Sequence, residues 1–371
     1  MALRRVSIIG SGNWGSTIAK IIGNNVQELD NFEKQLLLLH ILLKEPLNVT
    51  RIASDALKHF LHREDVDGRK LSDIINEQHE NVRYLPGVEL PKNVFATPDL
   101  LRATEDADVL IIVLPHQFLH GLCRKMKPAV KQGAYAVSLM KGLDSGAQGG
   151  IRLLSDLIRD ELSIPCAVMM GANLANEVSM EYFCEATIGA ADPKIGAELK
   201  SLFQTPYFRI VVIQDEVGTE LCGALKNIVA VGVGIIEGLD YKDNTKAAAI
   251  RLGFMEMRNF IFQFFGERSP QEGTFLESCG VADLIATCYG GRNKRMGYKL
   301  ATSDQPLAEL EKQLQGQSAQ GPLTAAEVYH MLKSNNLLDA YPIFTAVHKI
   351  CLREIEPIKF IDHLKNHPEH H

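Results

Sequence analysis

Residues 6–15 read VSIIGSGNWG, a short β-rich run followed by glycines at positions 10, 12 and 15. The run is typical of a buried strand, and the residues after Gly12 have the composition of a helix start. In such a unit the first glycine permits a tight turn, the second lets the backbone approach a pyrophosphate, and the third lets helix and strand pack closely. The stretch predicts a dinucleotide-binding turn, with a purely structural glycine-rich turn as the alternative.

Further short apolar runs alternate with amphipathic segments through the first half of the chain. They lie at 94–96, 109–114, 136–139, 167–170 and 208–213. Strands separated by helices imply right-handed crossovers and a parallel, doubly wound sheet. The expected fold class is therefore α/β, with an N-terminal Rossmann-like sheet.

From Gly218 onward the pattern changes to helical spacing, most clearly at 219–238, 246–265, 308–314 and 324–332. A chain of 371 residues is long enough for two domains that each bury a core. We expect a dinucleotide-binding domain at 1–214 and a mainly α-helical domain, binding substrate and carrying catalytic residues, at 215–371.

Composition excludes several classes of protein. A net charge of −6 and a pI near 6.1 argue against a partner that is nucleic acid or a membrane surface. The seven cysteines are scattered and form no metal-ligand spacing, as in a reduced cytoplasmic protein, and we expect no metal site. No signal-peptide core is present at the N-terminus, and no run approaches the roughly 20 apolar residues of a membrane-spanning helix. The ending NHPEHH is interpreted as a solvated end.

Two runs compete for the second strand of the sheet, 36–43 (LLLLHILL) and 58–62 (KHFLH). The first is rich in leucine, which favours helices, and it lacks the β-branched and aromatic residues that strands prefer. This composition favours a helix at 36–43.

Distinctive motifs follow one another along nearly the whole chain: GSGNWGS (10–16), HENVRYLPG (79–87), VLPHQF (113–118), SLMKGLD (138–144), MGANLANEV (170–178), ELCGALKNIVAVG (220–232), DNTKAAAIRLG (243–253) and TFLESCGVADLIATCYGGRN (274–293). In these motifs and their order the chain resembles the animal-type cytosolic NAD-dependent glycerol-3-phosphate dehydrogenases.

The resemblance implies an insertion near residues 36–56, because about twenty residues there have no counterpart in the family. The second strand is then predicted at Lys58–His62, with a helical insertion before it. His62, Arg63 and Ser318 also depart from the family pattern near the cofactor.

The resemblance further implies an NAD-dependent oxidoreductase that interconverts glycerol 3-phosphate and dihydroxyacetone phosphate by hydride transfer, as a cytoplasmic homodimer. Two alternatives stay open: a related hydroxy-acid dehydrogenase, and a catalytically weakened relative that acts as a nucleotide-binding or regulatory module.

Lys226 is the candidate general base, since it lies in an apolar helical run where an unpaired lysine is costly unless it faces a site. The resemblance implies the same residue, with Asn227 beside it. Lys141, at the C-terminal end of a strand, resembles the family's second active-site lysine and is expected to polarise the substrate oxygen. Asp283 is expected to orient Lys226, with Thr287 one helical turn away; a structural helix-end acid is the alternative.

Arg292 and Asn293 follow two glycines and are expected to bind the substrate phosphate, since a guanidinium can grip phosphate with two donors.

The glycine turn supplies the first group of predicted contacts with NAD. The resemblance to the family adds residues from other parts of the chain. The full set of predicted NAD-binding residues is Gly10, Ser11, Gly12, Asn13, Trp14, Gly15, Phe118, Ala175, Arg292 and Gln320.

Overall fold

The structure, a computed structural model, describes residues 4–33, 36–39, 65–145, 150–314 and 319–370. The chain divides into two compact units. The first contains Met1–Met140, Leu154–Met169 and Asn173–Gln214, and the second contains Lys141–Leu153, Met170–Ala172 and Asp215–His371. The predicted domains, 1–214 and 215–371, differ from these units by placing both short segments in the first domain.

The main sheet has eight strands in the order β12-β11-β10-β7-β6-β1-β2-β5. Pairing is parallel from β10 through to β5 and between β11 and β12. Two short hairpins, β3–β4 and β8–β9, are antiparallel. The strands are β1 (Val6–Ile9), β2 (Leu36–Leu39), β3 (Asp65–Val66), β4 (Arg69–Lys70), β5 (Val94–Thr97), β6 (Val109–Ile112), β7 (Tyr135–Ser138), β8 (Asp144–Ser145), β9 (Ile151–Arg152), β10 (Cys166–Met170), β11 (Cys184–Gly189) and β12 (Phe208–Ile213).

Helices connect these strands and build the second unit. They are α1 (Asn13–Glu28), α2 (Leu71–Gln78), α3 (Leu100–Thr104), α4 (Leu119–Met126), α5 (Leu154–Leu162), α6 (Ala175–Ser179), α7 (Pro193–Phe203), α8 (Glu216–Gly238), α9 (Asp243–Phe265), α10 (Asp283–Tyr289), α11 (Arg292–Thr302), α12 (Leu307–Lys312), α13 (Gln320–Ser334), α14 (Pro342–Cys351) and α15 (Lys359–Lys365).

Both faces of the sheet are covered, because side chains that alternate along a strand enter different cores. Ile8 of β1 packs in one core with residues of α1 and α7, whereas Ile9 packs in another with residues of α4 and α5. Helices on both faces of a parallel-dominated sheet confirm the predicted α/β fold class. The strand β11 (CEATIG) was not predicted, since polar residues interrupt its apolar pattern.

The prediction for the second strand was wrong. Leu36–Leu39 forms β2, which pairs with β1 on one side and β5 on the other. The leucine composition of this run was read as helical, but propensity is a weak preference that tertiary pairing overrides, and strands inside parallel sheets commonly read as continuous apolar runs. The predicted insertion therefore cannot begin at Leu36. The rest of that prediction, residues 40–56 and Lys58–His62, lies outside the described residues, as do Arg63 and Ser318.

The second unit is helical and its core surrounds α8. Every residue of α8 from Val217 to Ile236 is buried. By length and composition this helix could span a membrane, which corrects the expectation that no run is long enough, but 89% of its apolar window is buried inside the protein. Burial of this kind is ordinary for the central helix of a helical core.

The C-terminal tail is mostly exposed, as expected of a solvated end, but His367 within it is buried. His367 is 1% exposed, and its Nε2 lies 3.1 Å from Oε1 of the buried Glu256. The same Glu256 carboxylate accepts the N–H groups of Ile343 and Phe344 at 2.7 and 2.9 Å. Glu256 therefore joins α9 to the first turn of α14, where such N–H groups lack helical partners, and His367 packs against the same carboxylate.

Candidate active site

The glycine turn follows β1 in the first unit, as predicted. Gly10 has a φ of +129°, and a Cβ placed on it would lie 1.8 Å from the carbonyl oxygen of Val113. A Cβ on Gly15 would lie 2.0 Å from the carbonyl oxygen of Gly10. Neither position can carry a side chain without moving the backbone, so both glycines are required for the close packing of strand, turn and helix.

Gly12 differs from the other two glycines. Its φ is −65°, and a Cβ placed there would meet no atom of the described residues within 4 Å. In the part of the chain that the structure describes, no side chain caps α1, and the first turn of this helix contains no acidic residue. The N-terminus of α1 thus presents backbone N–H groups and a positive dipole end beside open space, which fits the pyrophosphate of a dinucleotide.

Two further segments of the first unit pack against this turn. Asn13 donates from Nδ2 to Oδ1 of Asn176 at 2.7 Å, and Thr17 donates from Oγ1 to the carbonyl oxygen of Ala175 at 3.1 Å. The Trp14 ring meets Phe208 edge-on, with centroids 6.2 Å apart. The structure therefore brings Asn13, Trp14 and Ala175 together around the turn.

Phe118 ends a short 3-10 helix, His116–Phe118, that follows β6. Its side chain is 5% exposed and belongs to the apolar core that contains Leu119 and Met126. Most of this ring is thus occupied in packing, and its predicted contact with NAD stays a prediction.

In the second unit, four of the predicted catalytic residues form one hydrogen-bonded cluster. Lys226, on α8, donates to Oδ1 of Asp283 and, at 2.7 Å, to Oγ1 of Thr287. Lys141 donates to the other oxygen of Asp283, Oδ2, at 3.0 Å and to the carbonyl oxygen of Gly171 at 3.3 Å. One carboxylate therefore lies between two ammonium groups.

Burial decides the protonation of Lys226. Both Lys226 and Asp283 side chains are 3% exposed, whereas that of Lys141 is 31% exposed. The pKa of Lys226 is lowered to about 7, chiefly because burial disfavours the charged amine; the Asp283 carboxylate opposes this shift and the charge of Lys141 adds to it. An amine with this pKa can both accept and release a proton near neutral pH.

Asp283 is placed by an irregular segment that precedes it. Residues Ser278–Ala282 form a π-helical turn, and a Cβ on Gly280 would lie 2.3 Å from the carbonyl oxygen of Phe275. Thr287 donates from Oγ1 to the carbonyl oxygen of Asp283 at 2.6 Å, across one turn of α10. π-helical turns are rare in proteins, and those that occur are frequently found at functional sites.

A buried acid that sequence reasoning missed, Asp215, links the start of α8 to residues 271–274, which precede the π-helical turn. Asp215 accepts the N–H of Gly218 at 2.7 Å through Oδ1, which caps α8. Its other oxygen, Oδ2, accepts the N–H of Gln271 at 2.8 Å and the hydroxyl of Thr274 at 2.5 Å. The position of Asp215 directly before a long helix is the sequence signal that indicates a cap.

A second group of predicted residues surrounds Asn227. Asn293 donates from Nδ2 to Oδ1 of Asn227 at 2.8 Å, and its own Oδ1 accepts the N–H of Gly321 at 2.9 Å. Close helix packing makes this possible: a Cβ on Gly297 would lie 2.0 Å from the carbonyl oxygen of Val231. Helices α11 and α13 are thus both held against α8 at the level of Asn227.

Arg292 is the first residue of α11 and directly follows Gly291, whose φ is +94°. Arg292 is exposed as a residue, yet the surrounding protein partly desolvates its guanidinium and so lowers the pKa of that group; the guanidinium has no hydrogen bond or ion pair with the parts of the chain that the structure describes. Gln320 begins α13 and directly precedes Gly321, whose N–H donates to Asn293. Among the described residues, no group of three or more His, Cys, Asp or Glu side chains could hold a metal ion.

The first unit thus has a glycine turn suited to a dinucleotide, and the second has a buried lysine, Lys226, whose pKa is lowered to about 7. On a neighbouring helix, the Arg292 guanidinium has no partner among the described residues. A nucleotide-binding sheet joined in sequence to such a helical unit defines the class of dinucleotide-dependent oxidoreductases.

Comparisons with known proteins identify the family. Residues 5–196 match the family model described as NAD-dependent glycerol-3-phosphate dehydrogenase N-terminus, and residues 215–362 match the model for its C-terminus. The chain is 51% identical over 366 residues to the cytoplasmic NAD(+) glycerol-3-phosphate dehydrogenase of Drosophila kanekoi, covering 98% of this chain and 95% of that protein. Its human counterpart is 49% identical over 372 residues, covering 100% of each chain. The chain belongs to the NAD-dependent glycerol-3-phosphate dehydrogenase family.

A solved structure agrees with this assignment. The glycerol-3-phosphate dehydrogenase of Plasmodium falciparum superposes with a TM-score of 0.88 at 36% identity, covering 98% of this chain and 96% of that one. The fold class predicted from the sequence is therefore also that of an enzyme in the same family.

Proposed function

We propose that this protein is a cytoplasmic enzyme that interconverts sn-glycerol 3-phosphate and dihydroxyacetone phosphate with NAD. The observation that carries the proposal is the buried Lys226, held between Asp283 and Thr287 in a chain of this family. When bound, NAD accepts the hydride from the substrate carbon in the oxidation direction.

Lys226 is proposed as the general base. In oxidation its neutral amine takes the hydroxyl proton of glycerol 3-phosphate, and in reduction its ammonium returns a proton to the carbonyl oxygen. A pKa of about 7 supports both roles, because the amine and the ammonium are then comparably populated at neutral pH.

Lys141 is proposed to polarise the substrate oxygen and to keep the pKa of Lys226 low, since the two cations share Asp283. Asp283 and Thr287 orient the Lys226 amine through hydrogen bonds to Nζ. Asn227 directly follows Lys226 in the chain, and its Oδ1 accepts a hydrogen bond from Nδ2 of Asn293. The proposed roles of Asp283, Thr287 and Lys141 are thus to orient the Lys226 amine and to set its pKa.

Arg292 and Asn293 are proposed to bind the substrate phosphate. Arg292 lies at the N-terminus of α11, where backbone N–H groups also favour an anion. A guanidinium can donate to two phosphate oxygens at once, so it fixes orientation as well as charge. Carboxylate substrates lack the third oxygen and the second negative charge, and we expect them to bind less well.

The residues Gly10, Ser11, Gly12, Asn13, Trp14 and Gly15 are proposed to hold the NAD pyrophosphate and adjoining ribose. Ala175 lies against the turn through its contact with Thr17. Phe118, Arg292 and Gln320 are proposed to contact the cofactor as in related enzymes. The first unit would then serve mainly NAD, and the second would supply substrate and proton-transfer groups.

A homodimer is proposed for the assembly, and the names of the close relatives support the cytoplasmic location. Light scattering on the full chain tests the assembly, and a mass of one chain at micromolar concentration would contradict it.

Substrate preference tests the reaction. NADH oxidation is measured with dihydroxyacetone phosphate, with unphosphorylated dihydroxyacetone and with pyruvate as a carboxylate. We expect clear preference for the phosphorylated ketone. Preference for pyruvate would favour a hydroxy-acid dehydrogenase, and NADH binding without turnover of any of the three would favour the nucleotide-binding module.

A further inference from the structure

A buried asparagine from another part of the first unit fixes the glycine turn. Asn81 follows α2 and is 0% exposed. It donates from Nδ2 to the carbonyl oxygen of Ser11 at 2.9 Å and to Oγ of Ser16 at 2.8 Å, and its Oδ1 accepts the N–H of Tyr84 at 3.1 Å. All of the hydrogen bonds of this amide are thus directed at the turn or at its own loop.

These contacts determine the orientation of one peptide group in the turn. The Ser11 carbonyl also accepts a hydrogen bond from Ser16 Oγ at 3.2 Å, so two donors hold it toward the protein interior. The Ser11–Gly12 peptide is trans, and in a trans peptide the N–H points away from the C=O. The N–H of Gly12 is consequently directed away from the interior, and among the described residues a Cβ on Gly12 itself would meet nothing within 4 Å.

We propose that Asn81 is a positioning residue for NAD: it holds the Ser11 carbonyl inward so that the Gly12 N–H faces the cofactor pyrophosphate. Without the amide donor, the peptide can rotate, and an outward carbonyl oxygen would meet the phosphate with its lone pairs. Pre-organised N–H groups bind an anion without a further ordering cost, so loss of this restraint weakens binding of the anion itself.

A matched control lies on the preceding helix. Asn76 makes a comparable pair of hydrogen bonds, donating from Nδ2 to the carbonyl oxygen of Ala96 at 2.9 Å and accepting the Ala96 N–H at 2.7 Å. It joins α2 to β5 and makes no hydrogen bond to the glycine turn. Asn76→Ala therefore removes a similar side chain from the same region without touching the Ser11–Gly12 peptide.

The test compares ligands with and without a pyrophosphate on the full chain. NADH is titrated by fluorescence, and ADP and adenosine are measured by competition against NADH. For Asn81→Ala we expect affinity for NADH and ADP to fall by about tenfold, the effect of roughly one charged hydrogen bond, while adenosine changes less than about twofold. For Asn76→Ala we expect all three affinities to stay within about twofold.

Two results would overturn the proposal. The first is that Asn81→Ala binds NADH and ADP within twofold of the unaltered protein. The second is that its affinity for adenosine falls as much as its affinity for NADH and ADP, which would indicate general disruption of the unit. Should Asn81→Ala fail to fold, Ser16→Ala removes the second donor to the Ser11 carbonyl and also the hydroxyl that accepts from Asn81 Nδ2, so both restraints on that carbonyl are loosened. It is expected to weaken NADH and ADP about threefold and adenosine not at all, and unchanged NADH binding in that variant would equally overturn the proposal.

Discussion

The glycine turn of the first unit and the lysine cluster of the second are built by opposite means. The turn presents backbone groups, and Gly10 and Gly15 have no room for a side chain. The cluster presents side chains: the buried Lys226 and Asp283 and the half-buried Thr287 come together from two helices. We therefore expect the turn to be sensitive to added atoms and the cluster to lost or moved charge.

Lys226→Ala is expected to have the largest effect. Turnover should fall by about 100- to 10,000-fold, the usual contribution of a general acid–base group, while affinity for NADH changes little. Steady-state kinetics and NADH titration measure the two separately. Lys299→Ala, which removes a lysine paired with Gln313 on the same unit, serves as the control and should keep its activity. More than half of the activity remaining in Lys226→Ala would remove this residue from the mechanism.

Arg292→Lys should raise the KM for dihydroxyacetone phosphate by about 10- to 100-fold, because a single ammonium cannot replace a two-donor fork. The control is Arg295→Lys, one turn further along α11, where the side chain donates to the carbonyl oxygen of Gly291. An equal loss with unphosphorylated dihydroxyacetone as substrate would show that Arg292 serves the fold or the cofactor instead of the phosphate.

Two alanine substitutions in the turn sharpen the comparison directly. Gly12→Ala should leave thermal stability nearly unchanged, because the φ of −65° at this position suits alanine and no atom of the described residues lies near the new Cβ. The added methyl group should nevertheless raise the KM for NADH about tenfold, because it fills the space proposed for the pyrophosphate. Gly15→Ala should lower stability by about 1–3 kcal/mol or more, because its Cβ meets a carbonyl oxygen. Thermal unfolding and NADH kinetics separate the two, and equal stability losses would contradict the assignment of open space at Gly12.

The smallest effect is expected in the pH dependence. Oxidation of glycerol 3-phosphate requires neutral Lys226, so its rate should rise through about pH 7, and reduction requires the ammonium, so its rate should fall through the same range. The charge of Lys141 lowers the pKa of Lys226, so Lys141→Gln should raise that pKa. Both limbs of the pH–rate profiles, the rise in the oxidation rate and the fall in the reduction rate, should then move to higher pH. Arg292→Lys should leave the limbs in place. Limbs that stay at the original pH in Lys141→Gln would show that the two lysines do not share the carboxylate in solution.

The second strand shows where local sequence patterns failed. The run LLLLHILL was read as helix from its composition, yet its first part forms β2 between β1 and β5. Helix propensity differs by only tenths of a kcal/mol between such residues, and pairing with two neighbouring strands outweighs it. The strand β11 was missed for a related reason, since its residues lack the alternation of a half-buried strand.

The sequence by itself determined the fold class, the glycine turn and the identity of the family, because these depend on local periodicity, on glycine's unique backbone freedom and on long motifs. It also indicated Lys226 and Asp283 as costly in apolar surroundings. Only the tertiary structure decided that one carboxylate is shared by Lys141 and Lys226, that Asp215 links the start of α8 to residues 271–274, and that Asn81 holds the turn. Hydrogen bonds and charge effects act over a few ångströms, and 142 residues separate Lys141 from Asp283, so the folded chain alone sets the distances on which their chemistry depends.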